Sequence, residues 1–152
     1  MGRFAPSATT LRGRLVVNAD VDEAFPLFSP EGERLWVPGW DPELLHPPGA
    51  VWEEGQIFRT REELGDAVWL VTRLDRGQHA VEYHRVEPGR YVANITVRCR
   101  ALPGKRTEVS TAYSFVGLSE AGNGEIEAMT QKAYDEKMSR WADWIDRHLA
   151  GH

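Results

Sequence analysis

The fold is decided by residues Glu125–Gly151, which read EIEAMTQKAYDEKMSRWADWIDRHLAG. Large apolar residues recur in this stretch at three- and four-residue steps, which is the spacing of one face of an α-helix. The apolar stripe consists of Ile126, Met129, Ala133, Tyr134, Met138, Trp141, Ile145 and Leu149. The pattern predicts one long amphipathic helix, which would span roughly 40 Å at about 1.5 Å per residue.

The chain before this helix alternates strand-like segments with turns that contain Gly, Pro or Asp. The predicted strands are Leu11–Ala19, Ile57–Glu62, Ala67–Leu74, Ala80–Val86, Tyr91–Leu102 and Thr107–Leu118. The short connections between consecutive strands favour an antiparallel meander. Apolar and polar side chains alternate in the last two strands, so one sheet face needs a cover. The long helix is the only predicted element long enough to supply it.

These features predict an α+β fold in a single domain over residues 1–152. We expect a curved antiparallel sheet of about six or seven strands wrapped around the long C-terminal helix, with short helices after the first strand. Asp20 and Glu23 have the spacing of a capping box at the start of the first short helix. Gly122-Asn123-Gly124 is predicted to form a turn that leads into the last helix.

The segment Pro30–Pro48 is too rich in Pro and Gly for a long regular element. Loops of this length in compact domains are often functional. Two interpretations stay open. Trp36, Trp40 and His46 form a lid over a cavity entrance, or the two tryptophans plug one end of the sheet.

Composition excludes several classes of protein. The 152 residues are 41% hydrophobic and 27% charged, with a net charge of -5, which is ordinary for a globular domain. No basic patch stands out in the sequence, so we expect no nucleic-acid partner. No apolar run is long enough to predict a membrane span, and residues 1–10 lack the apolar core of a signal peptide. A cytoplasmic location is the default expectation.

The order of elements resembles the helix-grip fold of the START-like (SRPBCC) superfamily, which includes Bet v 1-type proteins, polyketide cyclases and Aha1-type Hsp90-activator domains. The motifs that carry the resemblance are VDEAFPLF at 21–28, PEGE at 30–33 and WVPGWDP at 36–42. Parts of these motifs resemble sequences of a bacterial subgroup of the superfamily that is described only as uncharacterised. The resemblance implies a cavity under the C-terminal helix, but a shared fold does not fix a function.

Large rings with polar tips suit the wall of such a cavity, although each of them also suits a packed core. The candidate ligand-binding residues are Trp40, Trp69, Tyr83, Arg85, Tyr91, Ile95, Tyr113, Tyr134, Met138 and Trp141. Tyr83 and Arg85 alternate with His84 in one strand, and the sequence leaves open which set faces inward. An outward Arg85 is favoured, because an inward one would need a carboxylate partner or an anionic ligand group.

The carboxylate pairs Glu53-Glu54 and Glu62-Glu63 are most simply solvated strand ends, since neighbours in a strand point to opposite faces. The alternative is that one member of each pair lines the cavity mouth. The single cysteine, Cys99, falls on an apolar strand face and is predicted to be a buried, inert thiol.

No metal or cofactor is predicted. The histidines form no metal-ligand pattern, and Gly151 is expected to end the helix between His148 and His152. The sequence also contains no nucleophile elbow, dinucleotide-binding glycine motif or P-loop.

Three functions follow in order of preference. The first is the binding of a small, largely hydrophobic or aromatic molecule between the sheet and the last helix, as a carrier or sensor. The second is a metal-free cyclase, aromatase or dehydratase that uses the same cavity, with Tyr83, His84, Arg85, Tyr113 or a glutamate as acid or base. The third is a protein-interaction module of the Aha1 type. The sequence is compatible with a monomer or a homodimer.

Overall fold

The computed structural model describes residues 2–49 and 51–151. The helices are α1 (Val21–Ala24), α2 (Pro30–Glu33), α3 (Glu120–Glu127) and α4 (Gln131–Ala150), with a 3-10 turn at Phe25–Phe28. The strands are β1 (Ala8–Val17), β2 (Glu43–His46), β3 (Ile57–Glu62), β4 (Gly65–Asp75), β5 (Ala80–Glu87), β6 (Tyr91–Leu102) and β7 (Arg106–Gly117). In the described parts of the chain, no helix is both long and apolar enough to cross a membrane.

The seven strands form one antiparallel sheet in the order β1-β7-β6-β5-β4-β3-β2. Strands β2 to β7 form the predicted meander, because each pairs with the next one along the chain. The first strand, β1, pairs with the last, β7, over its whole length. The predicted helix-grip architecture is confirmed. Among the strands, the sequence patterns missed β2, a four-residue edge strand inside the Pro30–Pro48 segment.

Helix α4 covers the inner face of the sheet. Its buried residues are Tyr134, Met138, Trp141 and Ile145. The helix lies closest to β1 at Gly13, where an added Cβ would come within 2.7 Å of the Tyr134 ring. A side chain at this position would push the helix away from the sheet, so Gly13 permits the close approach. Ala133, which belongs to the predicted stripe, is exposed.

The prediction of one continuous C-terminal helix is wrong. Residues 128–130 are not helical, and Thr130 caps α4 by accepting a hydrogen bond from the Ala133 backbone N–H at 3.1 Å. Threonine favours such an N-cap because its side chain satisfies a donor that the helix leaves free. The preceding helix, α3, carries the Ile126 end of the stripe.

The predicted turn at Gly122-Asn123-Gly124 is also wrong, because all three residues lie inside α3. Gly122 lets this helix approach the chain at Arg90, whose carbonyl oxygen lies 1.6 Å from where a Cβ would stand. The Asn123 amide donates to the Ala5 carbonyl at 3.0 Å and accepts from the Ser7 N–H at 2.8 Å. These contacts stabilise a helix that the two glycines disfavour locally.

The Pro30–Pro48 segment packs its tryptophans against the body of the protein. Trp36 is buried, donates to the Leu27 carbonyl at 2.7 Å, and makes an edge contact with the Trp141 ring at 5.5 Å. Trp40 is half-buried and donates to the Pro30 carbonyl at 2.8 Å. His46 is exposed in β2. The arrangement of Trp36 matches the plug interpretation, whereas His46 is not part of it.

Candidate functional site

The inner face of β5 carries Tyr83, Arg85 and Glu87. Buried Val81, Tyr83 and Glu87 fix the alternation, so Arg85 points inward with them. The favoured outward orientation of Arg85 is therefore wrong. His84 lies on the opposite face, where its ring nitrogens approach Thr72 and Asn94 at 3.3 and 3.2 Å.

The inward Arg85 has the carboxylate partners that its burial requires. Its Nη2 lies 3.1 Å from an oxygen of Glu62 and 3.1 Å from an oxygen of Glu87, and its Nη1 donates to the Tyr91 hydroxyl at 3.4 Å. Burial lowers the pKa of Arg85, but the charges of Tyr91, Glu87 and Glu62 outweigh burial and raise it. The guanidinium is therefore permanently charged. Its Nε is a buried donor without a partner among the described residues.

The Arg85 pairing also distinguishes between the glutamates of the two carboxylate pairs. Glu62 contacts Arg85 and accepts a hydrogen bond from the Thr60 hydroxyl at 2.8 Å, whereas Glu63 is exposed. Glu53 and Glu54 are both exposed, and Glu54 accepts from the Leu74 N–H. The solvated interpretation holds for three of these four residues, and Glu62 faces the interior.

Two ionisable residues that the sequence patterns missed, Glu33 and Lys137, lie within electrostatic reach of each other. Glu33 ends α2, and Lys137 lies on α4 between Tyr134 and Trp141. The Lys137 Nζ stands 4.2 Å from the centre of the Tyr113 ring and 5.2 Å from that of Trp141. Such ring faces attract a cation.

Burial disfavours the charged form of both groups, so the pKa of each moves toward neutral pH. Burial raises the pKa of Glu33 to about 8, against the smaller opposing effect of Lys137. Burial, followed by the charge of Arg85, lowers the pKa of Lys137 to about 8, while Glu33 acts in the opposite direction. A carboxyl group and an amine that both titrate near neutral pH lie within electrostatic reach of one another.

Two tyrosines, Tyr83 and Tyr113, lie within electrostatic reach of Glu33. Burial, and then the charge of Glu33, raises the pKa of both Tyr83 and Tyr113, so both phenols are neutral. The Tyr83 hydroxyl donates to the Phe28 carbonyl at 2.7 Å and accepts from the Trp52 indole at 3.2 Å. By contrast, the side chains of Tyr113, Glu33 and Lys137 make no hydrogen bond to any other described residue. These three polar groups are therefore available to a ligand.

The other predicted candidates surround this polar group. The Trp69 indole donates to the Thr60 hydroxyl at 2.9 Å, and its ring contacts Trp40 at 5.6 Å. The Tyr134 hydroxyl lies 2.5 Å from that of Thr111, so its polar tip already has a partner. The remaining candidates Tyr91, Ile95, Met138 and Trp141 are buried on the inner face of the sheet or on α4.

A cleft of about 620 Å³ opens between the loop at residues 37–43 and strand β3. Trp40, Thr60 and Glu62 line it. Because Glu62 also contacts Arg85, the cleft lies next to the interior polar groups. Glu62 thus both lines the open cleft and pairs with the inward-facing Arg85.

A second concavity, of about 670 Å³, lies on the outer sheet face. Its walls carry Arg12, Arg14, Arg73 and Arg98, and small residues such as Ser110 form its floor. The sequence showed no basic patch because these arginines come from three separate strands and only the strand register brings them together.

Metal binding and thiol reactivity depend on how the side chains are arranged in the described parts of the chain. Residues 2–49 and 51–151 contain no cluster of three or more His, Cys, Asp and Glu side chains that could hold a metal ion. Cys99 is buried, and burial raises its pKa to about 12, so the thiol is neutral. His152, which was considered with His148, lies outside the described residues.

Solved structures with the same architecture match nearly the whole chain. Norcoclaurine synthase from Thalictrum flavum aligns with a TM-score of 0.70 at 14% identity, covering 100% of this chain and 99% of that one. The protein has a Bet v 1-like helix-grip fold. The Zhui aromatase/cyclase from Streptomyces sp. R1128 aligns with a TM-score of 0.67 at 15% identity, covering 94% and 96% of the two chains.

A further match is Ara h 8.0201, with a TM-score of 0.68 at 11% identity over 95% of this chain and 99% of that one. Another norcoclaurine synthase structure holds dopamine and hydroxybenzaldehyde, at 14% identity and a TM-score of 0.69, over 100% of this chain and 95% of that one. No protein-family model matches the sequence. No curated protein matches it either. At these identities the likeness concerns the fold alone.

Lys137 had a signal in the sequence. It lies three residues after Tyr134 and four before Trp141, so helical periodicity places it at the edge of the apolar stripe. Glu33 had no such signal, because a four-residue helix in a Pro- and Gly-rich segment has no measurable period. Glu87 falls just outside the predicted strand Ala80–Val86, but it is the last residue of β5 and points to the same sheet face as Tyr83 and Arg85.

Proposed function

We propose that the protein binds a small, largely aromatic molecule between the sheet and α4. The observation that carries this proposal is the set of Glu33, Lys137 and Tyr113. The polar atoms of these three side chains have no hydrogen-bond partner among the described residues, and the Lys137 amine lies over the Tyr113 ring. Glu33 and Lys137 keep part of their surface accessible, although burial dominates both of their pKa shifts. A site for a small ligand needs polar groups that are largely enclosed by protein but still partly accessible, and Glu33 and Lys137 meet this requirement.

The chemistry of these groups specifies the ligand. Ligand sites combine mostly apolar walls with a few placed polar groups that fix orientation. Here the rings of Trp141 and Tyr113 supply flat walls, and the three free polar groups supply the orientation. The norcoclaurine synthase structure with dopamine and hydroxybenzaldehyde supports the proposal, because a protein of this fold holds aromatic molecules of that size.

A neutral fluorescent probe, N-phenyl-1-naphthylamine, tests the proposal by titration against the full chain. Because the probe is neutral, it is not attracted by the arginines of the concavity on the outer sheet face. We expect saturable binding at one site. The substitution Lys137→Trp fills the interior space and should weaken binding at least ~10-fold, which corresponds to about 1.4 kcal/mol.

The matched control is Lys132→Trp, which adds the same side chain on the exposed side of the same helix. It should leave the affinity unchanged. Absence of saturable binding, or equal loss in the two variants, would contradict the proposal. Circular dichroism of each variant establishes that the fold is intact.

A second function, acid–base catalysis on the bound molecule, is favoured by one observation. Glu33 and Lys137 both have a pKa of about 8. A general acid or base works best when its pKa lies close to the operating pH, and both groups meet this condition near neutral pH. His84 is not part of this set, because it lies on the outer sheet face. If the protein is a cyclase- or dehydratase-like enzyme, Glu33→Gln should abolish turnover even at probe and substrate concentrations at which the variant still binds.

A further inference from the structure

We propose that the Lys137 amine condenses with the carbonyl group of an aromatic aldehyde or ketone bound between the sheet and α4, forming an imine. The inference rests on the proposed ligand site and names its substrate class. It depends on where the amine stands, which groups surround it, and which neighbour can handle the protons of the reaction.

The position of Lys137 places its amine against three aromatic rings. The residue lies on the inner side of α4, and its Nζ stands 4.2 Å from the Tyr113 ring centre, 5.2 Å from that of Trp141 and 5.9 Å from that of Tyr134. No described side chain holds the amine in a hydrogen bond. An aromatic carbonyl compound that stacks on these rings would therefore meet the amine directly.

The surroundings keep much of the amine unprotonated. Burial and Arg85 lower the pKa of Lys137 to about 8, Arg140 acts in the same direction, and Glu33 opposes them. The nearby hydroxyls of Tyr113 and Tyr134 are neutral, because burial raises their pKa. At pH 8 about half of the Lys137 amine is then free, against about 0.4% for an ordinary lysine. Desolvation and a neighbouring cation are the two known means of activating a lysine.

The aromatic rings serve the product as well as the free amine. They attract the ammonium form, which slows the attack, but an iminium carries the same positive charge on the same nitrogen. The rings of Tyr113 and Trp141 therefore stabilise the condensed state. Their presence favours imine formation once a carbonyl compound is bound.

The reaction balances with Glu33 as the proton carrier. The Nζ lone pair attacks the carbonyl carbon, the C=O π pair moves to oxygen, and one proton passes from nitrogen to that oxygen to give a carbinolamine. The protonated Glu33 carboxyl then donates its proton to the hydroxyl, the C–O bond breaks, and water leaves. The nitrogen lone pair forms the C=N bond, which leaves an iminium beside the Glu33 carboxylate. Addition of water reverses these steps.

The chain allows a clean test because it contains three lysines, Lys105, Lys132 and Lys137. The full chain is incubated with benzaldehyde and sodium cyanoborohydride at neutral pH, which converts any imine into a stable benzylamine. Peptide mapping by mass spectrometry then measures the rate at each lysine and at the amino terminus. We expect Lys137 to react at least ~10-fold faster than Lys132 and Lys105. Glu33→Gln should slow the reaction at Lys137 alone.

The outcomes separate this inference from the proposed function. Selective labelling of Lys137 that saturating N-phenyl-1-naphthylamine suppresses supports both. Probe binding with no preference for Lys137 overturns the imine and leaves the ligand site standing. If the probe does not bind and Lys137 reacts no faster than Lys132, both fail. Since the mapping uses the unmodified chain, no variant has to fold for the inference to be decided.

Discussion

At the residue scale, the site depends on polar side chains that face inward among apolar ones. Arg85 is tolerated there because Glu62 and Glu87 lie 3.1 Å from it, so its charge is compensated. Glu33 has no such hydrogen-bonded partner and responds by holding its proton. When the pKa of a group differs between the folded and the unfolded chain, the free energy of unfolding depends on pH.

We therefore expect Glu33→Gln to change the pH dependence of stability. The pKa of Glu33 rises from 4.5 in the unfolded chain to about 8 in the folded one, so the native state binds more protons between these values. The free energy of unfolding of the wild type should fall as pH rises through this window. Glu33→Gln lacks that loss. Its melting temperature should gain at least ~3 °C on the wild type between pH 5 and pH 9, about the effect of 1 kcal/mol in a domain of this size.

The control for this measurement is Glu136→Gln, which removes an exposed glutamate from α4. It should follow the wild-type pH profile. Parallel profiles for wild type and Glu33→Gln would show that Glu33 is ionised in the folded protein at neutral pH.

A buried hydroxyl provides a second prediction at this scale. Thr107 is fully buried at the start of β7 and donates to the Ala19 carbonyl at 2.9 Å, which fixes the chain that follows β1. Thr107→Val keeps the shape and leaves that carbonyl without its donor, so it should cost about 1–3 kcal/mol. Thr107→Ser keeps the donor. Chemical denaturation of both variants compares the hydroxyl with the methyl group, and a larger loss in Thr107→Ser would contradict the assignment.

At the element scale, helix α3 depends on tertiary contacts more than on helix propensity. Helix α3 contains two glycines within eight residues, which is unfavourable for an isolated helix. Gly122 is required where α3 approaches the Arg90 carbonyl, whereas Gly124 faces open space. The same residue type thus has a packing role at one position and none two residues later.

The two glycines form a matched pair for mutation. Gly122→Ala places a Cβ against backbone that cannot move aside, so we expect a loss of at least ~2 kcal/mol from strain and displacement of α3. Gly124→Ala meets no atom within 4 Å and should be neutral or stabilising by up to ~1 kcal/mol. Thermal unfolding of both variants measures the difference. A similar effect at the two positions would mean that propensity, not the Arg90 contact, governs α3.

At the scale of the whole molecule, the sheet combines pairs of strands that are neighbours in sequence with one pair, β1 and β7, that is far apart in sequence. Strand β7 lies between β6 and the edge strand β1, so one edge of the sheet joins the first strand of the chain to the last. Strand β2 lies at the opposite edge, is four residues long, and has mostly exposed side chains. The cleft beside Trp40 opens near this weaker edge.

Native-state hydrogen exchange should reveal this gradient. Amide protons of β6 and β7 should exchange only through global unfolding, because their ladders are paired on both sides and buried on one face. Those of β2 should exchange at least ~100-fold faster through local opening. Uniform protection across the sheet would contradict a weak edge beside the cleft.

The sequence by itself determined six of the seven strands, the antiparallel meander and the presence of a long C-terminal helix. Period-two and three-to-four-residue patterns record which side chains are buried, and most of the core of β6, β7 and α4 follows from them. What only the tertiary structure decided is where rare polar residues point. Arg85 faces inward because Glu62, two strands away, can reach it, and Glu33 meets Lys137 across more than a hundred residues of chain. Periodicity identifies a buried face, but the compensation of a buried charge depends on atoms brought together from distant parts of the chain.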